Sequence, residues 1–354
     1  LKIHFCLSGL LMLSACNSSA DQNEPEGRSA EATSAAAGDP LHFADAKGAA
    51  FDETPVLRAQ VILDRLGFSP GVIDGEEGES YGAALRAFQS ARGLKESGKL
   101  DQATLTAMQE WSDVPATRMV TIPAAFAKGP FYPDMPDAAA EQAKLQALGY
   151  RNLMEALAER FHSTPAALVA LNSPTTKIGA GKVIRVPNIA DVAPLAGTDQ
   201  RDWSATLQKL GVASSQPEAS KLVVDKSEGV LKAYDADGKL IAQFPATMGS
   251  SHDPLPIGNW KIKGVSHNPD FHYNPELFWD VSDDKEAQLL PPGPNGPVGV
   301  VWIDLSKPHY GIHGTGAPDT IGRAESHGCV RLTNWDAARL AQMVKPGVEA
   351  VFQE

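Results

Sequence analysis

The hydrophobic repeat of this chain changes period at Ser220, and that change fixes its fold class. Upstream, apolar residues recur at helical spacing: Val56, Leu57, Val61, Leu63 and Leu66 share one broad face with Gln60, closed by Gly67. Downstream, Lys221 to Val224, Val230 to Tyr234 and Leu240 to Phe244 read as short strands, joined by turns at Glu228-Gly229 and Asp237-Gly238. A helical period cannot be buried as a strand, nor the reverse, so the chain is expected to be multi-domain α+β. Its 354 residues agree with two or three modules, given typical domains of ~100 to 200 residues.

The N-terminus is read apart from the fold. Residues 1–16 carry Lys2, an apolar run from Phe5 to Leu13, and Leu13-Ser14-Ala15-Cys16. The run is shorter than the ~20 residues needed to cross a bilayer, so it reads as a secretory leader. Its last four residues resemble a bacterial lipobox. The resemblance implies lipidation of Cys16 and a membrane-anchored periplasmic protein. Asn17 stands where an aspartate would signal inner-membrane retention, which points to the outer membrane. Residues 17–50 are rich in Ser, Ala, Glu and Gly and too poor in large apolar residues to offset their ordering entropy. A flexible tether is expected there. The excess of 43 acidic over 31 basic residues argues against a nucleic-acid partner.

Residues 51–110 read as three helices. The second carries Ala84, Leu85, Phe88 and Ala91 and stops at Gly93; the third starts at a cap, Asp101, and packs Leu105 and Met108. Leu66-Gly67, Asp74-Gly75, Gly78, Phe88-Gln89, Gly93-Leu94, Gly98 and Thr104-Leu105 resemble the peptidoglycan-binding module, with Ser80-Tyr81 where that family usually has threonine. Residues 111–145, rich in Pro and Ala, read as a connector. Residues 146–190 follow with a helix carrying Leu153, Leu157 and Phe161, a second starting at Ser163-Thr164-Pro165, and the strand Val183 to Pro187. They resemble a LysM module, a helix pair with flanking strands that binds glycan. Core spacing alone also fits a helix pair that only braces the next domain. Residues 191–219 read as a linker, and 220–354 as a β-rich domain. In it the stretch from His267 to Pro297 is too irregular for a core sheet, and its Phe271, Tyr273, Phe278 and Trp279 suit a lid. A late helix from Trp335 to Val344 is capped by Asn334.

One thiol dominates this domain. The nineteen residues from His313 to Arg331 hold two histidines, four glycines and Cys329. Cys6 would leave with the leader and Cys16 would carry lipid, so Cys329 is left without a disulfide partner. A thiol of pKa ~8.5 needs an imidazole to become a nucleophile at neutral pH. His313, at the end of an expected strand, can supply it, with the Gly314 carbonyl orienting the ring. The N–H groups of Gly328 and Cys329 can form an oxyanion hole. That is acyl-transfer chemistry. No second cysteine or carboxylate is spaced to complete a zinc site with His309, His313, His327 and Cys329, so neither metal nor other cofactor is expected.

His313-Gly314-Thr315, Ile321-Gly322 and Ser326-His327-Gly328-Cys329-Val330-Arg331 resemble the signature of the L,D-transpeptidases, the YkuD-type β-sandwich. Pro256-Ile257-Gly258, Leu290-Pro291-Pro292-Gly293-Pro294 and Gly299 extend the likeness over Lys221 to Phe352. Leu255 and Gly296 depart from it, where threonine and asparagine are common. The resemblance implies Cys329 as nucleophile, His313 as base, and Ser326, His327, Arg331, Thr315 and Tyr273 around the substrate. It implies transfer of a peptidoglycan stem-peptide acyl group from a Cys329 thioester to an amine, on a second stem or on a lipoprotein lysine. With water as acceptor the enzyme would be an L,D-carboxypeptidase. A wall-binding lipoprotein with a dead site is the non-enzymatic alternative, and a sortase-like cysteine peptidase leaves the upstream modules unexplained.

Overall fold

The computed structural model describes residues 41–190, 203–275, 286–326 and 328–354. The leader, Cys16, residues 17–40 of the tether, Phe278, Trp279 and His327 lie outside the described residues; the last ten residues read as tether, 41–50, are not loose, because Leu41 and Phe43 are buried in a core and Asp45 bridges Val120.

Three helices open the described chain: α1 (Pro55–Arg65), α2 (Glu79–Ala91) and α3 (Gln102–Met108). Thr54 caps α1 by accepting from the Leu57 N–H, and Asp101 caps α3 by accepting from Thr104. The buried amide of Gln89 donates to Ser97 Oγ, Lys99 O and Thr104 Oγ1 and accepts from Gly98 N, which straps the start of α3 to α2. Met108 is buried as expected. Leu105 is not: it is 41% exposed, because the seven-residue α3 turns only its Thr104 and Met108 face inward.

The expected connector is not featureless. It contains β1 (Thr117–Thr121), α4 (Ala124–Lys128) and α5 (Ala139–Gln142). Next come α6 (Leu153–Arg160), α7 (Pro165–Leu171) and β2 (Val183–Pro187). Strand β1 pairs antiparallel with β2, Thr117 opposite Pro187. The strand that completes this helix pair therefore comes from residues read as connector. Its period was hidden because only Thr117 and Val120 of β1 are buried. Helix α1 serves both cores: Ala59, Ile62 and Leu63 pack with α2, while Leu57 and Val61 pack with the β1–β2 unit.

The described part of the expected linker, residues 203–219, also folds. Helix α8 (Trp203–Leu210) puts Leu207 and Leu210, with Val212 and Ala219, into the C-terminal core. Among the described residues that core's main sheet has nine strands in the order β5-β4-β3-β13-β7-β10-β11-β12-β6. They are β3 (Lys221–Asp225), β4 (Val230–Tyr234), β5 (Leu240–Pro245), β6 (Thr247–Met248), β7 (Gly258–His267), β10 (Val301–Leu305), β11 (Gly311–His313), β12 (Val330–Arg331) and β13 (Glu349–Gln353). The terminal strands β5 and β6 are separated in sequence only by Ala246. The sheet thus rolls on itself as a barrel-like sheet, in place of the two separate layers of a sandwich. β8 (Phe271–Tyr273) and β9 (Gln288–Leu290) form a two-stranded sheet of their own, within the stretch expected to be irregular and outside the core sheet. Helix α9 (Asn334–Met343) is buried over nearly its whole length. Its cap is Thr333, whose Oγ1 accepts from Asp336 N; Asn334 is the first helical residue.

The N-terminal helices cover the β5 edge. Phe68 bridges Gln243 in parallel, Ser69 N donates to Gln243 O, and Gln243 N donates to Gly67 O. An open strand edge is thereby closed by the same chain. Residues 38–354 accordingly form one compact unit.

Candidate active site

Topology brings the two signature segments together. Strands β11 and β12 run parallel, with Ile312 opposite Val330 and His313 opposite Arg331. Cys329 immediately precedes β12, so thiol and imidazole share one cavity of about 540 Å³. Arg331, Ser326, Tyr310, Trp302 and Phe271 also line it.

His313 is 5% exposed, and its Nδ1 lies 2.8 Å from the Gly314 carbonyl. A carbonyl only accepts, so Nδ1 carries the proton and Nε2 is left as a base. Burial, reinforced by the Arg331 charge and only partly opposed by the Gly314 carbonyl, lowers the imidazole pKa to about 4. The ring is neutral at pH 7. Trp302, its cross-strand partner, stacks on it at 5.8 Å between centroids. Gly311 makes this possible, since a Cβ there would come 2.5 Å from the indole.

Cys329 is also protonated at rest. Burial raises its thiol, and the Gly311 N–H and the Arg331 charge offset only part of that cost. Thiol and imidazole are thus both neutral, an arrangement in which the base takes the proton as the sulfur attacks and not before.

Ser326 holds the turn that presents the thiol. Its Oγ donates to Cys329 O at 2.7 Å and accepts from Gly249 N at 2.7 Å. Both bonds are made inside the fold, so its hydroxyl positions the Cys329 turn, while the residue also lines the cavity as the sequence reading expected. Gly328, at φ +87°, turns the chain where a Cβ would come 2.6 Å from Tyr310. Thr315 and Tyr273 are not in the cavity wall. The Thr315 Oγ1 accepts from Ala317 N, and β8 contributes Phe271 and His272 in place of Tyr273.

Asp253, Asp270, Trp302 and Tyr310 line the cavity without having been singled out from sequence. For Trp302 a signal existed: it alternates with the buried Val301 and Ile303 on the strand just before His313. Among the described residues no group of three His, Cys, Asp or Glu side chains is placed to hold a metal ion.

A second layer links the site to the upstream helices. Asn334 Oδ1 accepts from Val300 N, and its Nδ2 donates to Glu159 Oε1 of α6 at 2.9 Å and to Pro294 O. The same amide oxygen packs against Gly314, whose carbonyl orients His313. Burial raises Glu159 to about 8, against the hydrogen bonds from Tyr150 and Asn334.

Residues 219–352 match the family model of the L,D-transpeptidase catalytic domain, and residues 52–108 that of the peptidoglycan binding domain. Residues 219–352 form an L,D-transpeptidase catalytic domain. The candidate L,D-transpeptidase YkuD of Bacillus licheniformis is 27% identical over 196 residues, 55% of this chain and 89% of the relative. YkuD of Bacillus subtilis, assigned in the same way, is 54% identical over 59 residues, 17% of this chain and 36% of the relative. Among solved structures, L,D-transpeptidase 3 from Mycobacterium tuberculosis is 15% identical over 68% of this chain and 92% of its own, with a TM-score of 0.32.

Proposed function

We propose that this protein is a lipid-anchored periplasmic enzyme that acylates Cys329 with a peptidoglycan stem peptide and passes the acyl group to an amine, in cell-wall remodelling. The observation that carries the reading is the neutral His313–Cys329 pair in one cavity of an L,D-transpeptidase domain. In the first step the Cys329 sulfur attacks the stem carbonyl while His313 Nε2 takes the thiol proton. The Gly328 and Cys329 N–H groups and the Arg331 charge stabilise the oxyanion. Collapse releases the terminal D-amino acid, whose nitrogen takes the proton from His313, and leaves a thioester. An incoming amine then gives its proton back to His313 and restores the thiol; water in that role would give carboxypeptidase activity. Asp253 and Asp270 in the wall suit a cationic amine, which supports the transferase over the hydrolase.

The peptidoglycan binding domain supports peptidoglycan as the partner. We further read the helix pair α6–α7, flanked by β1 and β2, as a LysM-like unit, and Cys16 as the lipid-bearing residue, with an outer-membrane lipoprotein amine as one possible acceptor. His327 is read as shaping the substrate pocket. The test is to incubate full-length protein with tetrapeptide muropeptides, with and without a lysine-bearing acceptor peptide. Release of D-alanine with a joined product is expected. Hydrolysed product alone would make it a carboxypeptidase, and no product with intact sacculus binding would leave the inactive wall-binding lipoprotein.

A further inference from the structure

A second cavity, of about 390 Å³, lies where the upstream helices meet the catalytic domain. Its wall includes Phe131, Tyr132 and Tyr150 from the upstream part, Lys209 from α8, and Asn268 and Pro292 from the catalytic domain. Two chain segments serve both cavities: Asn268 and Pro292 to Pro294 face this one, and Pro269 to His272 and Pro297 face the one holding Cys329. Asn268 sits in the left-handed region at φ +45° and is held to α8 by its Nδ2, which donates to Thr206 Oγ1 at 2.9 Å.

The chemistry of the wall is one-sided. It contains no carboxylate, and Lys209 makes no ion pair or hydrogen bond among the described residues. Burial pulls its ammonium below the usual lysine range. A half-buried, unpaired cation is costly, and it invites an anion from outside. Aromatic and proline faces around a single cation suit a ligand with an apolar body and one acidic end, in a volume typical of small-molecule sites.

We propose that this cavity binds a small carboxylate with an apolar body, the acid on Lys209 and the body against Phe131, Tyr132 and Tyr150. The D-alanyl end of a wall peptide belongs to this class; that identification rests on the transpeptidase reading, and the carboxylate site does not. Because the ligand would touch Asn268, it would lie against the segment that walls the active site.

The test uses the full chain with Cys329→Ala, so that no acyl-enzyme forms. Lys209 is footprinted with limiting acetic anhydride and read by peptide mass spectrometry, in the presence of N-acetyl-D-alanyl-D-alanine, its C-terminal amide, or butyrate. The dipeptide is expected to slow Lys209 acetylation several-fold and saturably, leaving other lysines unchanged, while the amide has no effect. Calorimetry should show binding lost at least tenfold in Lys209→Met and retained in Lys209→Arg. Protection by butyrate but not by the dipeptide keeps the carboxylate site and removes the wall-peptide identification. Protection by neither acid, equal protection by acid and amide, or undiminished binding to Lys209→Met overturns the proposal.

Discussion

His162 and His313 are both buried, yet they sit in opposite kinds of site. His162 is fully enclosed: its Nδ1 meets Asp64 Oδ1 at 3.0 Å and its Nε2 meets Leu210 O at 2.9 Å, while its ring stacks on Trp335. Arg339 closes the cluster with two bonds to Asp64, at 3.0 and 2.9 Å. Burial alone would raise the Asp64 carboxyl, but Arg339 and His162 outweigh it and hold it below the usual carboxylate range. His313 has one ring nitrogen bonded, to Gly314, and lines a cavity. The difference separates a polar group spent on architecture from one left able to react. The first cluster joins α1, the end of α6 and α9, so it holds the N-terminal helices, the helix pair and the catalytic domain in one register.

That contrast can be broken from either side. His313→Ala should lower kcat/KM by ~10² to 10⁴, the usual worth of a general base, with little change in melting temperature; a large stability loss with activity per folded molecule intact would reverse the assignment. Asp64→Ala should do the opposite. Removing one partner of a buried ion pair costs about 3 to 5 kcal/mol, readable by urea denaturation, while the folded fraction keeps its specific activity. Ser326→Ala leaves the buried Gly249 N–H without its acceptor and should destabilise by about 1 to 3 kcal/mol, with a loss of turnover from the freed Cys329 turn.

Two pH effects sharpen the comparison further. Because His313 loses its proton only above about pH 4, the acid limb of kcat/KM should fall near pH 4 and not near 6.5. Alkylation of Cys329 by iodoacetamide should stay slow through neutral pH and accelerate only above the ordinary thiol range. Glu159 and Asp336 add a pH effect on stability. Burial raises them from 4.5 and 3.8 to about 8 and about 7, so the folded state holds protons that the unfolded state has released. Their contribution to stability is complete below the unfolded pKa values and is lost as pH rises through 7 to 8. Glu159→Gln should flatten that decline in a melting series, leaving the part due to Asp336.

Much of this was legible because it is local. Asp101 announces a helix start, Gly229 and Gly238 adopt positive φ at the turns, and strands β3 to β5 follow the period of two. The meeting of His313 and Cys329 could be anticipated from their spacing of sixteen positions. What failed was non-local. Asp64 and Arg339 are 275 residues apart, and neither carries a local mark of its partner. Strand β1 hid in a Pro- and Ala-rich stretch because its partner β2 lies more than sixty residues on. Residues 203–219 read as linker because their apolar face is covered by elements later in the chain. Within the site, Phe271 and Tyr273 were both legible as lid aromatics, but sequence does not show that Phe271, with His272, reaches the cavity wall while Tyr273 does not.

The most direct test is to trap the acyl-enzyme. Full-length protein is mixed with tetrapeptide muropeptide, quenched in acid and mapped by peptide mass spectrometry. The expected result is a stem-peptide acyl adduct on Cys329 that forms in wild type, is sharply reduced in His313→Ala, and forms normally per folded molecule in Asp64→Ala. Product formation by Cys329→Ala, or an adduct on Cys329 that forms equally fast without His313, would contradict it.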